Sequence, residues 1–134
     1  MLVGCGPHAK RIYLPAVEKL RKRIDIELLL VVDLYVTKDS VARAINQTTL
    51  KPQMWFIDPF PSEIPSQLEE RLSKFVKENN INGVIIATEP LVHKAYADWA
   101  LRNKLNILID KPITARVDST SRLSSADGIL DDYI

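Results

Sequence analysis

The sequence predicts an α/β protein built on a doubly wound parallel sheet, and three observations predict it. Short, branched apolar runs recur along the chain, at Met1–Val3, Ile26–Val32, Met54–Ile57, Val84–Ala87 and Ile107–Ile109. They do not alternate with polar residues, which is the pattern of strands buried on both faces of a parallel sheet. Amphipathic stretches of helical period lie between them, and a glycine-rich turn joins the first apolar run to the first of these stretches. Short connections between alternating strands and helices imply right-handed crossovers, with helices on both faces.

The helices follow in order. Ala9, Ile12, Tyr13, Ala16, Val17 and Leu20 keep the 3.6-residue period and form the inner face of a first helix, in which Pro15 is absorbed near the first turns or bends the axis. Val41, Ala44 and Ile45 mark a short second helix. Ser66 and Glu69 have capping-box spacing ahead of the stripe Leu68, Leu72, Phe75 and Val76, which stops near Asn79 and Asn80. A fourth helix is predicted from Leu91 to Arg102, with Val92, Tyr96, Ala97 and Ala100 or Leu101 inward. A fifth begins near Val117 with little pattern. Lys51 to Pro65 holds four prolines and reads as an ordered loop around a short strand. Trp55, Tyr96 and Trp99 read as packing residues, and Lys19–Arg23 as a solvated helix end.

The 134 residues suffice for one domain with a core. A net charge of +1 gives no electrostatic reason to expect nucleic acid or a charged membrane as partner. No apolar run approaches the roughly 20 residues of a spanning helix, and Met1–Val3 is no secretory leader. Cys5 is the only cysteine, so no internal disulfide forms, and the chain reads as cytoplasmic. No metal site is expected.

The glycine turn carries the first functional signal. Gly4-Cys5-Gly6-Pro7-His8-Ala9 matches G-x-G-x-x-G/A in its strand–turn–helix setting. Gly4 permits the tight turn, and Gly6 lets the backbone approach a pyrophosphate. Ala9 is small enough for close helix–strand packing, and Pro7 fits a helix start. The helix N-terminus then faces the phosphates. The alternative is a turn whose glycines serve geometry alone. His8 either touches the cofactor or caps local polar groups, and Cys5 reads as a small loop residue, not a nucleophile.

Asp33 ends the second apolar run. In this architecture a carboxylate there accepts hydrogen bonds from the adenosine ribose and repels the extra phosphate of NADP; otherwise it simply starts a turn. It lies farther from the glycines than the usual spacing of about 20 residues, because Lys19–Asp25 lengthens the first crossover. NAD is therefore expected, although Lys38 just downstream could meet the 2′-phosphate of NADP. The remaining signals, Ala87-Thr88-Glu89-Pro90-Leu91-Val92-His93 and Ile109-Asp110-Lys111-Pro112, sit at the ends of the fourth and fifth strands, on the edge where open α/β sheets bind ligands.

Taken together, these motifs resemble the glucose–fructose oxidoreductase / inositol dehydrogenase / MocA (Gfo/Idh/MocA) family over essentially the whole chain. The family's usual forms are T-P-x-x-x-H and E-K-P. Here Glu89 stands where a proline is usual, Asp110 replaces the glutamate, and Lys104-Leu105 stands where Gly-Lys is common. The resemblance implies a Rossmann-type sheet of strand order 3-2-1-4-5. It implies that Gly4, Gly6 and Ala9 hold the pyrophosphate and Asp33 the adenosine ribose. Thr88, Pro90 and His93 would lie along the cofactor near its nicotinamide side, His93 having a purely structural alternative. Lys111 would reach the nicotinamide ribose and the substrate hydroxyl as the catalytic residue, its alternative being a solvated lysine before a proline, with Asp110 orienting it or ending the strand. A cis Lys111–Pro112 bond would aim the lysine inward.

The implied activity is hydride transfer between nicotinamide and a carbinol carbon of a sugar, polyol or related compound. Family enzymes continue into a sixth strand and a second α/β domain that holds most substrate contacts and the main acid–base residues. Residues 1–134 are therefore expected to be a single dinucleotide-binding domain, truncated before the sixth strand. Such a chain binds cofactor without turnover, meets its small-molecule substrate through the missing domain, and offers a fifth-strand edge for homo-oligomer pairing. Two other classes fit parts of the pattern. One is an S-adenosylmethionine-dependent methyltransferase, which shares V-G-C-G and a strand-end acid but has no use for Asp-Lys-Pro. The other is a non-catalytic nucleotide sensor.

Overall fold

The computed structural model describes residues 1–133. Strand β1 (Leu2–Val3) leads through the glycine turn into helices α1 (Pro7–Arg11) and α2 (Tyr13–Leu20). Then come β2 (Leu30–Leu34), α3 (Lys38–Asn46), β3 (Gln53–Ile57), α4 (Ser66–Glu78), β4 (Gly83–Ile86), α5 (His93–Arg102), β5 (Asn106–Ile109) and α6 (Leu123–Asp127). Among the described residues the sheet has five strands in the order β3-β2-β1-β4-β5, all parallel. Val3 lies opposite Val32 on one side and Ile86 on the other, and Ile86 lies opposite Ile109. This is the expected order, and it puts every strand's carboxyl end on one edge.

The strands bury both faces, as their unbroken apolar character requires. On one face Leu30, Val32, Val84 and Ile86 pack against Leu72 of α4 and Tyr96 and Trp99 of α5. On the other, Leu2 and Val31 pack against Leu14, Val17, Val41 and Ile45 of α2 and α3. Trp99 is wholly buried, and its indole N–H donates to Ser73 Oγ over 2.9 Å, so its polar edge is not orphaned.

Local chemistry moved several boundaries. Pro15 splits the first helix. Its ring cannot coexist with the carbonyl of the residue four places back, and α1 ends at that residue, Arg11. The break at Ile12 rotates the buried face to Ala9, Leu14 and Val17, leaving Ile12 and Leu20 about 44% and 41% exposed, contrary to the single-helix expectation. Strand β2 begins at Leu30, four residues after the predicted Ile26. Pro65 occupies the cap of α4, so Ser66 lies inside the first turn and makes no cap bond, while Glu69 pairs with Arg102 at 2.7 Å. A 3-10 turn over Pro90–Val92 precedes α5, and Leu101 faces solvent. The segment near Val117 forms turns, and helix resumes only at Leu123.

Helices α4 and α5 end alike. Asn80 and Lys104 take positive φ, 51° and 56°, and Ile81 and Leu105 donate back to Val76 and Ala100, each over 2.9 Å. This is the Schellman arrangement, so Lys104 adopts the left-handed position where glycine is favoured.

Candidate functional site

A crevice of about 430 Å³ opens at the carboxyl edge of the sheet, where β1 and its two neighbours diverge. Changes of winding direction leave such openings in doubly wound sheets. The turn after β1, the end of β2, the loop after β3 and the turn after β4 all contribute to its wall, together with Asp110 after β5.

The two glycines of the turn answer to different demands. Gly4 has φ +81°, and a β-carbon there would sit 2.5 Å from the Ala87 carbonyl oxygen. The protein's own backbone therefore requires glycine. Gly6 has an ordinary extended conformation, φ −71° and ψ −174°, and beyond its two chain neighbours no heavy atom of the described residues lies within 4 Å of where its β-carbon would be. Neither backbone nor packing demands glycine at this position, yet it lines the crevice. Pro7 and His8 follow on the wall, Pro7 at the first position of α1, while Ala9 is buried beneath the helix against the sheet.

Asp33 is the penultimate residue of β2 and lines the crevice. Its Oδ2 accepts the Cys5 N–H and its Oδ1 the Leu34 N–H, both at 2.7 Å. A carboxylate offers about four acceptor directions, so two remain for hydroxyl groups in the crevice. Cys5 is fully buried behind this contact, and burial pushes its thiol up to about 11. It is an inert packing thiol.

The turn after β4 places Thr88 and Glu89 on the wall. Pro90 opens the 3-10 turn behind them and is not on the wall. His93 is completely buried. Its Nδ1 lies 2.7 Å from the Pro112 carbonyl oxygen and its Nε2 3.0 Å from that of Thr88. Both nitrogens thus face carbonyl oxygens of the loops after β4 and β5, the ring N–H of a neutral imidazole donating to one of the two, and neither nitrogen is presented to the crevice.

Asp110 engages α2 and approaches α1, and makes no ion pair with the neighbouring lysine. It accepts the Tyr13 hydroxyl, and His8 Nε2 lies 3.8 Å from the same oxygen. This bond, with burial, pushes the Tyr13 phenol up to about 12. Lys111 stands on the same sheet edge as Gly6. It precedes a cis peptide bond to Pro112, but it is exposed beside Ile113 and Tyr133 and outside the crevice wall.

The structure thus gathers Gly4, Gly6, Pro7, His8, Asp33 and Thr88 around one opening, with Ala9 and His93 supporting it from behind. It adds Thr37, Phe60, Glu89, Tyr96 and Asp110 to the wall. Phe60 follows β3 and could have been sought there, since every strand end of a parallel sheet meets this edge. Tyr96 carries no local signal that distinguishes it from a core residue.

A parallel 3-2-1-4-5 sheet, with a glycine turn and a strand-end acid meeting at the opening, defines a Rossmann-type dinucleotide-binding domain. The sequence matches the model of the Gfo/Idh/MocA oxidoreductase family, NAD-binding Rossmann fold, over residues 1–126. The chain belongs to that family. No curated protein and no solved structure matches it.

Proposed function

We propose that this chain binds NAD in the crevice and forms the cofactor half of an enzyme that oxidises or reduces a carbinol carbon of a sugar, polyol or related compound. Gly6 carries the reading: its lack of a side chain serves nothing inside the protein, so the space it leaves is for a ligand that must touch backbone. Gly4, Gly6 and the first turn of α1 would hold the diphosphate, and Asp33 the adenosine ribose. The Asp33 carboxylate disfavours the 2′-phosphate of NADP, and Lys38 is exposed at the start of α3, off the crevice wall.

Bound nicotinamide supplies hydride acceptance or donation. The chain's own residues would supply positioning and charge. Thr88 bounds the crevice at the end of β4. Lys111 would stabilise alkoxide character on the substrate oxygen as its ammonium approaches. His93 fixes the loops that carry both, and Asp110, engaged by Tyr13, ties the fifth-strand loop to α2. Lys111 lies outside the crevice, so this chain alone would bind cofactor without turnover, the substrate contacts coming from a second domain. A buried lone cysteine suits a reducing compartment such as the cytoplasm.

That same placement of Lys111 favours a non-catalytic nucleotide sensor as the second reading. The family match leaves the methyltransferase alternative without support.

Replacing Gly6 by valine tests the binding claim. The variant should melt with the wild type and lose at least about tenfold in NAD affinity, roughly 1.4 kcal/mol. Undiminished NAD binding by folded Gly6→Val would overturn it.

A further inference from the structure

Tyr96 stands out among the buried aromatic residues. It projects from α5 into the core, 2% exposed, with its ring edge-on to Phe60 at a centroid distance of 5.6 Å. A phenylalanine would satisfy that packing. The phenol adds a hydroxyl that makes no hydrogen bond with any described residue, whereas the buried Trp99 has Ser73. No completely buried side-chain nitrogen or oxygen among the described residues is left without a partner. The Tyr96 hydroxyl therefore keeps a little open surface, and Tyr96 is one of the residues that wall the crevice. A donor this buried, with no protein acceptor at hydrogen-bond distance among the described residues, is costly to keep unless something in the opening accepts from it.

Its neighbours say which part of a ligand that is. Phe60 and Ile57 bring the β3 side of the sheet to the same wall, and β3 adjoins β2, which carries Asp33. Burial, and secondarily the charge of Asp33, push the phenol well above its ordinary value, so it stays a neutral donor under all ordinary conditions. Asp33 offers only acceptors, and Tyr96 offers a donor nearby. A hydroxyl- and phosphate-bearing group can use both.

We propose that Tyr96 is a cofactor-binding residue whose hydroxyl donates to an oxygen or nitrogen acceptor on the adenosine diphosphate half of the dinucleotide. The inference rests on the cofactor-binding reading above and assigns a further contact within it. The ring would be fixed by Phe60 and the core before the ligand arrives, so little side-chain freedom is lost on binding.

Tyr96→Phe removes the hydroxyl and keeps the ring. Wild type and variant are titrated by calorimetry with NAD and with adenosine diphosphate ribose, and both proteins are melted. The melting temperatures should agree within a degree or two, and affinity for both ligands should fall by the same factor, about three- to tenfold. Equal affinities in wild type and variant would overturn the proposal. So would a loss for NAD that adenosine diphosphate ribose does not share, because the contact would then lie on the nicotinamide half. If the wild type binds neither ligand, the cofactor reading itself fails, a result distinct from binding that is indifferent to Tyr96.

Discussion

The carboxylate of Asp33 accepts the backbone N–H of Cys5 over 2.7 Å, across 28 residues of sequence. The acid of the second strand and the glycine turn of the first are thereby one unit. The long first crossover, which sets Asp33 farther from the glycines than usual, does not separate them in space. What the acid orients is the loop, and what the loop shapes is the crevice.

Asp33→Asn should therefore act twice. An amide has one acceptor oxygen where the carboxylate has two, so one of the Cys5 and Leu34 N–H groups loses its partner. Stability should fall by about 1–2 kcal/mol in urea unfolding. NAD affinity should fall while the preference for NAD over NADP narrows, because the repelling charge is gone. Paired titrations with the two dinucleotides check this.

Gly4→Ala should behave unlike any substitution at Gly6. Positive φ and a 2.5 Å approach to the Ala87 carbonyl oxygen both oppose a β-carbon. A loss of at least about 2 kcal/mol is expected, visible as a lower unfolding midpoint before any ligand is added.

His93→Phe keeps a ring in the buried site and removes both nitrogens. Whichever carbonyl oxygen accepts the ring N–H, that of Thr88 or that of Pro112, then loses its partner. The expected cost is about 2 kcal/mol, with faster amide hydrogen exchange at Thr88, Glu89, Lys111 and Ile113 than elsewhere in the molecule. Uniform acceleration across the sheet would argue against a local clasp.

Cys5 supplies a pH test. Burial raises its thiol from 9.0 to about 11, so the folded protein holds this proton more tightly than the unfolded chain. The associated stability is complete below pH 9 and is lost as pH rises from about 9 to 11. Unfolding midpoints across that window should fall less steeply in Cys5→Ala than in the wild type. At pH 8 the native thiol should resist alkylation that unfolded protein undergoes readily.

The parallel sheet and its strand-end edge were legible because buried parallel strands have a distinctive composition, whereas the strand order came from the family resemblance. The break at Ile12 was half legible: Pro15 gave the cause, but the rotation of the buried face to Leu14 depends on packing against the sheet. Ser66 and Glu69 matched a cap by spacing alone, and Pro65 pre-empted it. Within the site, Gly4 and Gly6 looked equivalent in sequence, and only the neighbouring Ala87 backbone separates their roles. The contacts of His93 with Pro112, and of Tyr13 with Asp110, join segments far apart in the chain. No local pattern announces them. Lys111 was placed on the correct edge by its strand, but its exposure depends on the loop that follows.

The most direct test is a backbone amide NMR titration of the unaltered chain with NAD. Saturable shifts should concentrate at Gly4–Ala9, excluding Pro7, at Asp33–Thr37 and at Thr88–Glu89, with the polar surface around Arg116 and Asp132 unmoved. Absence of saturable shifts at millimolar NAD, or shifts centred away from the glycine turn, would contradict the account.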